Sequence, residues 1–430
     1  MTTKITDKNV SVFANAGVQW QSVVVADGST ALTAEAGKGY FIDTTSGTQT
    51  VNFPQPDNAN VGDTIIIKDF ARKFATNNVT IASNLFEGST NTVTLSTNDD
   101  SRTFVYTGGT KGYTLIQDGA TTGVGALYVA ATGGTVTTSG NFKIHTFTGD
   151  GCFVVSDAGN SIGSQTVDYL VVAGGGAGGF ANGGGGGGGA GGLRYSDCTY
   201  STPAPDPSAG TALPVSAQTY PITVGGGGSP KSGSPDYQSG GDGSNSIFST
   251  ITSAGGGGGG GGNCGSNGTG RAGGSGGGGG KKNSTEPGGA GNTPPVSPPQ
   301  GNAGGNGGGP GPLNNVGGGG GGAGAAGCAN APSPLRGGNG GNGLVISING
   351  SCAAYAGGGG GQNEGQPAPA QGQGGSGGGG TSGQTGADGN AGSANTGGGG
   401  GGADSQPNSG VQSGAGGKGI VIIRYQFQSS

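Results

Sequence analysis

A chain of 430 residues with 113 glycines, 30% hydrophobic and 9% charged residues cannot build one large apolar core along its whole length, so ordinary burial has to be concentrated in part of it. A net charge of -5 argues against a nucleic-acid-binding surface. No stretch approaches the ~20 apolar residues of a membrane span, and Met1-Thr2-Thr3-Lys4-Ile5-Thr6-Asp7-Lys8 lacks the apolar core of a signal peptide, so no membrane insertion and assembly in a cytoplasm are expected.

Residues 1–120 read as an all-β domain. Tyr40-Phe41-Ile42-Asp43, Thr50-Val51-Asn52-Phe53, Asp63-Thr64-Ile65-Ile66-Ile67-Lys68, Asn78-Val79-Thr80-Ile81, Arg102-Thr103-Phe104-Val105-Tyr106 and Tyr113-Thr114-Leu115-Ile116 are short and β-branched. Val10–Phe13, Gln21–Val25 and Thr92–Leu95 extend the series. Turn signals such as Asp27-Gly28, Pro54-Gln55-Pro56-Asp57 and Gly108-Gly109 separate them, which predicts a β-sandwich or barrel with almost no helix. Residues 121–167 form a connector, with strand-like Ala126–Ala130, Phe142–Phe147 and Gly151–Val155. His145 is the single histidine and falls out of phase with Phe142 and Ile144, so a solvent-facing structural role is expected.

From residue 168 onward, glycine dominates. The region is bracketed by Asp168-Tyr169-Leu170-Val171-Val172 and Gly419-Ile420-Val421-Ile422-Ile423-Arg424-Tyr425, which read as buried strands. Proline and glycine at this level without a strict period also describe low-complexity disorder. Against that, apolar pieces repeatedly precede glycine runs, as in Tyr220–Val224 before Gly225 and Ile247–Ile251 before Gly255. Pure runs such as Gly183–Gly189, Gly255–Gly262 and Gly317–Gly322 cannot be helices, because each glycine costs ~1 kcal/mol against alanine, and they offer a sheet no side chains. The remaining ordered form is the polyproline-II helix, with three residues per turn and no internal hydrogen bonds, whose N–H and C=O groups must be met by neighbours. The expected fold is therefore a polyproline-II (polyglycine-II) bundle over residues 168–430. Its buried helices are pure glycine, and mixed stretches such as Gly301–Asn306 lie outside.

Residues that interrupt the glycines are the candidates for binding, since stiff loops on a rigid scaffold are where binding groups concentrate. They are Arg194, Tyr195 and Tyr200 in Leu193–Thr219, Lys231 and Tyr237 in Ser229–Gln238, Lys281 and Lys282 in Lys281–Gln300, and Arg336 in Ala329–Arg336. The tyrosines could stack on sugar rings or pack along the bundle. Pro312–Val316, Gln362–Gln373 and Ala403–Gln412 complete the loops.

Catalysis is not expected. G-x-G-x-x-G matches are unavoidable in such a sequence, and Ser275–Lys282 fails as a phosphate loop at both its first glycine and its Ser/Thr position. Ser–His–Asp chemistry would depend on His145 alone, and Asp99-Asp100 is the single adjacent carboxylate pair. Cys152, Cys198, Cys264, Cys328 and Cys352 are widely spaced and odd in number, which excludes complete internal pairing and a zinc pattern, so no metal or cofactor is expected.

Asp168–Gly176, Ile222-Thr223-Val224-Gly225 and Gly419–Tyr425, as an ordered set, resemble the glycine-rich domain of bacteriophage tail-fibre proteins, with the polyglycine-II bundles of phage adhesins as a looser relative. The stretch from Gly39 to Ile81 is similar to small β-domains that recur in such fibres. The resemblance implies a virion tail fibre or adhesin that binds a host surface glycan or outer-membrane protein. It would be a homotrimer attached to other phage tail proteins through its N-terminal domain. A structural filament subunit is the alternative from another class. An ice-binding protein is a remote one, because no regular threonine spacing appears.

Overall fold

The computed structural model describes residues 18–83, 85–90, 92–118, 128–160, 163–196, 209–233, 237–262, 267–280, 285–308, 315–329, 331–332, 335–363, 371–404 and 410–428. It is all-β, and the chain divides into two compact units, Met1–Gly125 and Ala126–Ser430.

The first unit contains β1 (Gln19–Trp20), β2 (Val24–Val25), β3 (Leu32–Thr33), β4 (Lys38–Asp43), β5 (Gln49–Asn52), β6 (Thr64–Asp69), β7 (Val79–Ala82), β8 (Val93–Leu95), β9 (Ser101–Tyr106) and β10 (Tyr113–Asp118). One sheet has the order β1-β4-β6-β9-β10, with β2 also on β4; the other is β3-β5-β7-β8. Successive strands from β2 to β7 cross from one sheet to the other, so β4 pairs with β6, and β5 with β7, in parallel. Antiparallel pairing of β8 on β7 and β9 on β6 ends the winding. The sequence spacing indicates two facing sheets; it carries no signal for this parallel register, which depends on crossovers and not on turns.

Alternation with period two fills the space between the sheets. Tyr40 and Ile42, Ile65 and Ile67, Val79 and Ile81, and Phe104 and Tyr106 face inward, and Phe53 packs edge-on against Phe104 and Tyr113. The expected strand at Val10–Phe13 lies outside the described residues. Asp99 and Asp100 hold the turn before β9. Asp99 pairs with Arg72 and its N–H donates to the buried Asp69 carboxylate at 3.0 Å, while Arg102 Nε donates to Asp100 Oδ1 at 2.7 Å.

The second unit begins with β11 (Val129–Thr132), β12 (Thr135–Ser139), β13 (Phe142–Phe147), β14 (Gly151–Ala158), β15 (Thr166–Val172), β16 (Phe180–Ala181), β17 (Leu193–Tyr195), β18 (Leu213–Pro214), β19 (Thr219–Thr223), β20 (Ser246–Phe248) and β21 (Ile251–Ser253). β22 (Ala331–Pro332), β23 (Leu335–Arg336), β24 (Leu344–Ile346), β25 (Ala353–Tyr355), β26 (Ala403–Asp404) and β27 (Ile420–Gln426) follow. A sheet β11-β14-β19-β20-β21 faces a sheet β12-β13-β27-β15-β17. The strands expected as a connector are thus woven into the glycine-rich unit, with β13 paired to β27 and β14 to β19.

β15 and β27, the two strands bracketing the glycine region, pair directly from Asp168↔Arg424 to Val172↔Ile420. Both are buried on both faces. Tyr169, Val171, Val421, Ile423 and Tyr425 meet Phe153 and Phe248 of the opposing sheet. Leu170, Val172, Ile420 and Ile422 belong to a second cluster with Ala190, Ile348 and Tyr355. Continuous apolar runs are the expected signature of a doubly covered strand.

The same double cover overturns the expectation for His145, which is fully buried. Its Nδ1 lies 2.7 Å from the Gly133 carbonyl and its Nε2 3.2 Å from the Tyr425 hydroxyl. Being out of phase with Ile144 places it in the other core and not in solvent.

Candidate functional site

The glycine segments form a bundle whose organisation follows from one central strand, 185–192. Gly186, Gly187 and Gly188 donate their N–H groups to three different segments, at Gly260 (2.9 Å), Gly318 (2.9 Å) and Gly400 (2.8 Å). Gly189, Ala190 and Gly191 repeat the cycle at Gly257, Gly321 and Gly397. Its carbonyls accept from three further segments: Gly186 and Gly189 from Gly179 and Gly176, Gly187 and Ala190 from Gly278 and Ser275, and Gly188 from Gly359. A cycle of three is that of the polyproline-II helix. Segments 173–179, 255–262, 275–280, 317–322, 357–361 and 397–402 therefore surround 185–192.

Close packing explains the composition. A Cβ on Gly186, Gly187 or Gly188 would run into the carbonyl oxygen of Gly278, Gly359 or Gly176 respectively. Four of the surrounding segments are glycine throughout, and Ala173, Ala177 and Ser275 are the exceptions in the other two. Mixed segments lie outside, where side chains replace missing neighbours. Asn245 Oδ1 and Asp242 Oδ1 accept from the N–H of Gly255 and Gly258, both at 2.9 Å. Asn339 and Asn342, with the same three-residue spacing, accept from Gln373 and Ser376.

The sandwich strands that continue directly into glycine segments do so at one end, the base: β15 runs into Ala173, Gly192 into β17, β21 into Ala254 and Gly419 into β27. The opposite end is the tip. There Gly183 and Gly184 turn the chain with φ of +84° and +71°, a region that favours glycine. Their N–H groups are received by Asp404 Oδ1 at 2.8 Å and Gln362 Oε1 at 2.6 Å. Gln362, Asp404 and Glu286 are buried here and plug the bundle. In the sequence each falls within an expected loop, and the one signal of its role as a plug is a polar side chain within two positions of a glycine pair or run.

The structure sorts the sequence candidates by end. Lys231 and Tyr237 stand at the tip in one loop, both half-buried, where the Lys231 N–H donates to Ser413 Oγ at 2.9 Å. Arg336 is exposed at the tip in β23, on a segment followed by Gly338, whose N–H donates to Gly317. The described residues bordering 281–284, 309–314, 364–370 and 405–409 also lie at the tip. Arg194 and Tyr195 do not. They form β17 at the base, paired with Val171 and Leu170, and Tyr195 is buried in the apolar cluster under the bundle. The expectation of a loop fails there because three residues of alternating pattern complete a sheet. Tyr200, Lys281 and Lys282 lie outside the described residues. Tyr169, Tyr220, Tyr355 and Tyr425 are buried, as packing groups.

A concavity of about 390 Å³ opens beside the sandwich and is lined by Phe142, Thr166, Asp168, Arg424 and Gln426 among others. Its charged groups are engaged with each other: Arg424 Nη2 donates to Asp168 Oδ2 at 2.6 Å, and the guanidinium lies 4.9 Å from the Phe142 ring centroid. Among the described residues, no three His, Cys, Asp or Glu side chains converge as metal ligands.

The arrangement can display side chains on a backbone-saturated platform. No curated protein matches the chain. The family described as glycine-rich domain matches residues 154–426, from the middle of β14 to the last residue of β27. That span takes in the bundle and both strands that close it, and with more than half of its length matched the chain belongs to the glycine-rich domain family.

Proposed function

We propose that this chain is a tail-fibre or adhesin component of a bacteriophage virion, in which the tip of the glycine bundle contacts a host surface glycan or outer-membrane protein. One observation carries the reading: side chains and prolines are expelled from the bundle interior, and several of the resulting loops border the tip, opposite the end fixed to the sandwich. A platform with its backbone groups paired costs little reorganisation when its loops bind, since preorganisation cuts the ordering cost of association. The N-terminal two-sheet unit would serve as the attachment to other tail proteins.

The test is exchange of the tip segments 229–238, 329–336 and 403–412 for those of a related fibre, followed by adsorption to a panel of host strains. Transfer of strain preference with the segments supports the reading. Unchanged preference contradicts it.

A further inference from the structure

β12 is an edge strand, and its outer edge differs from those of the edge strands β11 and β17. On β11, the outward Val129 N–H donates to Ser164 Oγ at 3.1 Å and the Ala131 N–H to the Tyr425 hydroxyl at 3.0 Å. On β17, the Leu193 N–H donates to the Gln300 carbonyl and the Tyr195 carbonyl accepts from Gly210, both at 2.8 Å. β12 pairs with β13 on one side, and among the described residues no group occupies its other side. Thr135, Val136, Thr137 and Thr138 are all exposed. The strand Thr-Val-Thr-Thr-Ser has no charge, proline or bulge, the devices that ordinarily protect an edge from pairing.

The register tells which groups are open. Ser139 and Phe142 flank a two-residue turn and so exchange hydrogen bonds; the pattern alternates from there, so Thr137 and Thr135 bond to β13 while Val136 and Thr138 aim their N–H and C=O outward. We infer that β12 pairs antiparallel with the β12 strand of a second copy about a two-fold axis at Thr137. That register sets Val136 against the partner subunit's Thr138, and Thr138 against the partner subunit's Val136. Two exchanged pairs give four backbone hydrogen bonds.

Self-pairing suits this strand on chemical grounds. Thr135 would face the partner subunit's Ser139, and Thr137 the partner subunit's Thr137, so each cross-strand pair joins β-branched or hydroxyl side chains, which favour neighbouring strands. No like charges meet. Gly350 lies beside Ser139 Oγ at one end of the strand, leaving Val136 and Thr138 open. The inference does not rest on the adhesin reading, since it concerns the sandwich and not the tip.

Light scattering of the full chain across a dilution series, with the Val136→Lys/Thr138→Lys variant in parallel, tests it. The wild type should reach twice 40.2 kDa and the variant remain at one copy with an unchanged circular dichroism spectrum. A second variant, Thr137→Cys, should form a disulfide-linked dimer under mild oxidation, because non-hydrogen-bonded antiparallel neighbours sit ~4.5 Å apart, within disulfide reach. The wild type, with Cys152, Cys328 and Cys352 exposed, is the control for background cross-linking. A one-copy wild type with no excess cross-link in Thr137→Cys overturns the inference. So does a three-copy mass, which a two-fold contact cannot close, or a two-copy mass that survives both lysines.

Discussion

Arg424 Nη2 donates to Asp168 Oδ2 at 2.6 Å across 256 residues of chain, and both side chains are buried. The pair locks the strand that leads into the glycine bundle against the one that leads out. Their backbones are register partners in the same ladder, so side chains and main chain close the same loop.

Removing one member should therefore be costly. Asp168→Ala leaves a buried guanidinium without its carboxylate, a change that typically costs ~3–5 kcal/mol, whereas replacing both partners with apolar residues is often near neutral. Urea unfolding should show a large loss for Asp168→Ala and substantial recovery in Asp168→Leu/Arg424→Met. Equal losses in both would mean that the pair is not the source.

The central segment predicts a contrast between two glycines. A Cβ at Gly188 meets the Gly176 carbonyl, while one at the exposed Gly226 meets nothing within 4 Å. Gly188→Ala should destabilise by ~1–3 kcal/mol or more, as overpacking does. Gly226→Ala should leave stability unchanged or raise it by ~0.4–1 kcal/mol through the unfolded chain. Thermal melts of the two variants decide it. Amide exchange should follow the same division, with Gly186 through Gly191 strongly protected.

His145 makes the sandwich acid-sensitive. Burial holds its imidazole below the ordinary value near 6.5, with a smaller push from Lys143, against the opposing Gly133 hydrogen bond. The unfolded chain then binds the proton more readily, so the contribution is complete above about pH 6.5 and is lost as pH falls below it toward the folded value. The urea midpoint should drop between about pH 7 and about pH 5, and His145→Gln should flatten that slope. A slope unaffected by the substitution would assign the acid response elsewhere.

The plugs at the two ends of the bundle are separately testable. Gln362 Oε1 receives the Gly184 N–H at the tip, and Gln300 Oε1 receives the Ala254 N–H at 2.8 Å at the base. Either glutamine changed to alanine leaves a buried donor unmet, at ~1–3 kcal/mol. Amides near the affected end, at Gly184 or at Ala254, should lose exchange protection. Uniform loss along the bundle would instead indicate global unfolding.

Much of the fold was legible residue by residue. The apolar runs at 168–172 and 419–425 announced strands buried on both faces, and the pure glycine runs announced segments surrounded by backbone. Tyr195 was expected in a displayed loop because the three residues of β17 are too few to stand out as a strand, whereas His145 was expected in solvent for a reason of strand faces. Sequence alternation reports two faces of a strand, and it equates the second face with solvent only when one sheet face is open; here a second sheet covers one side and the apolar cluster at the bundle base the other.

The sequence by itself determined which segments could be interior, because a missing Cβ is a local property that no packing can supply. It also determined where the chain must break from the bundle, since prolines and long side chains do not fit there. Only the tertiary structure decided which end each break occupies, and so which candidates share a surface. That depends on run lengths, on the direction of each neighbouring segment and on which carbonyl each glycine N–H finds, and these are relations between distant residues that identical glycines cannot encode one at a time.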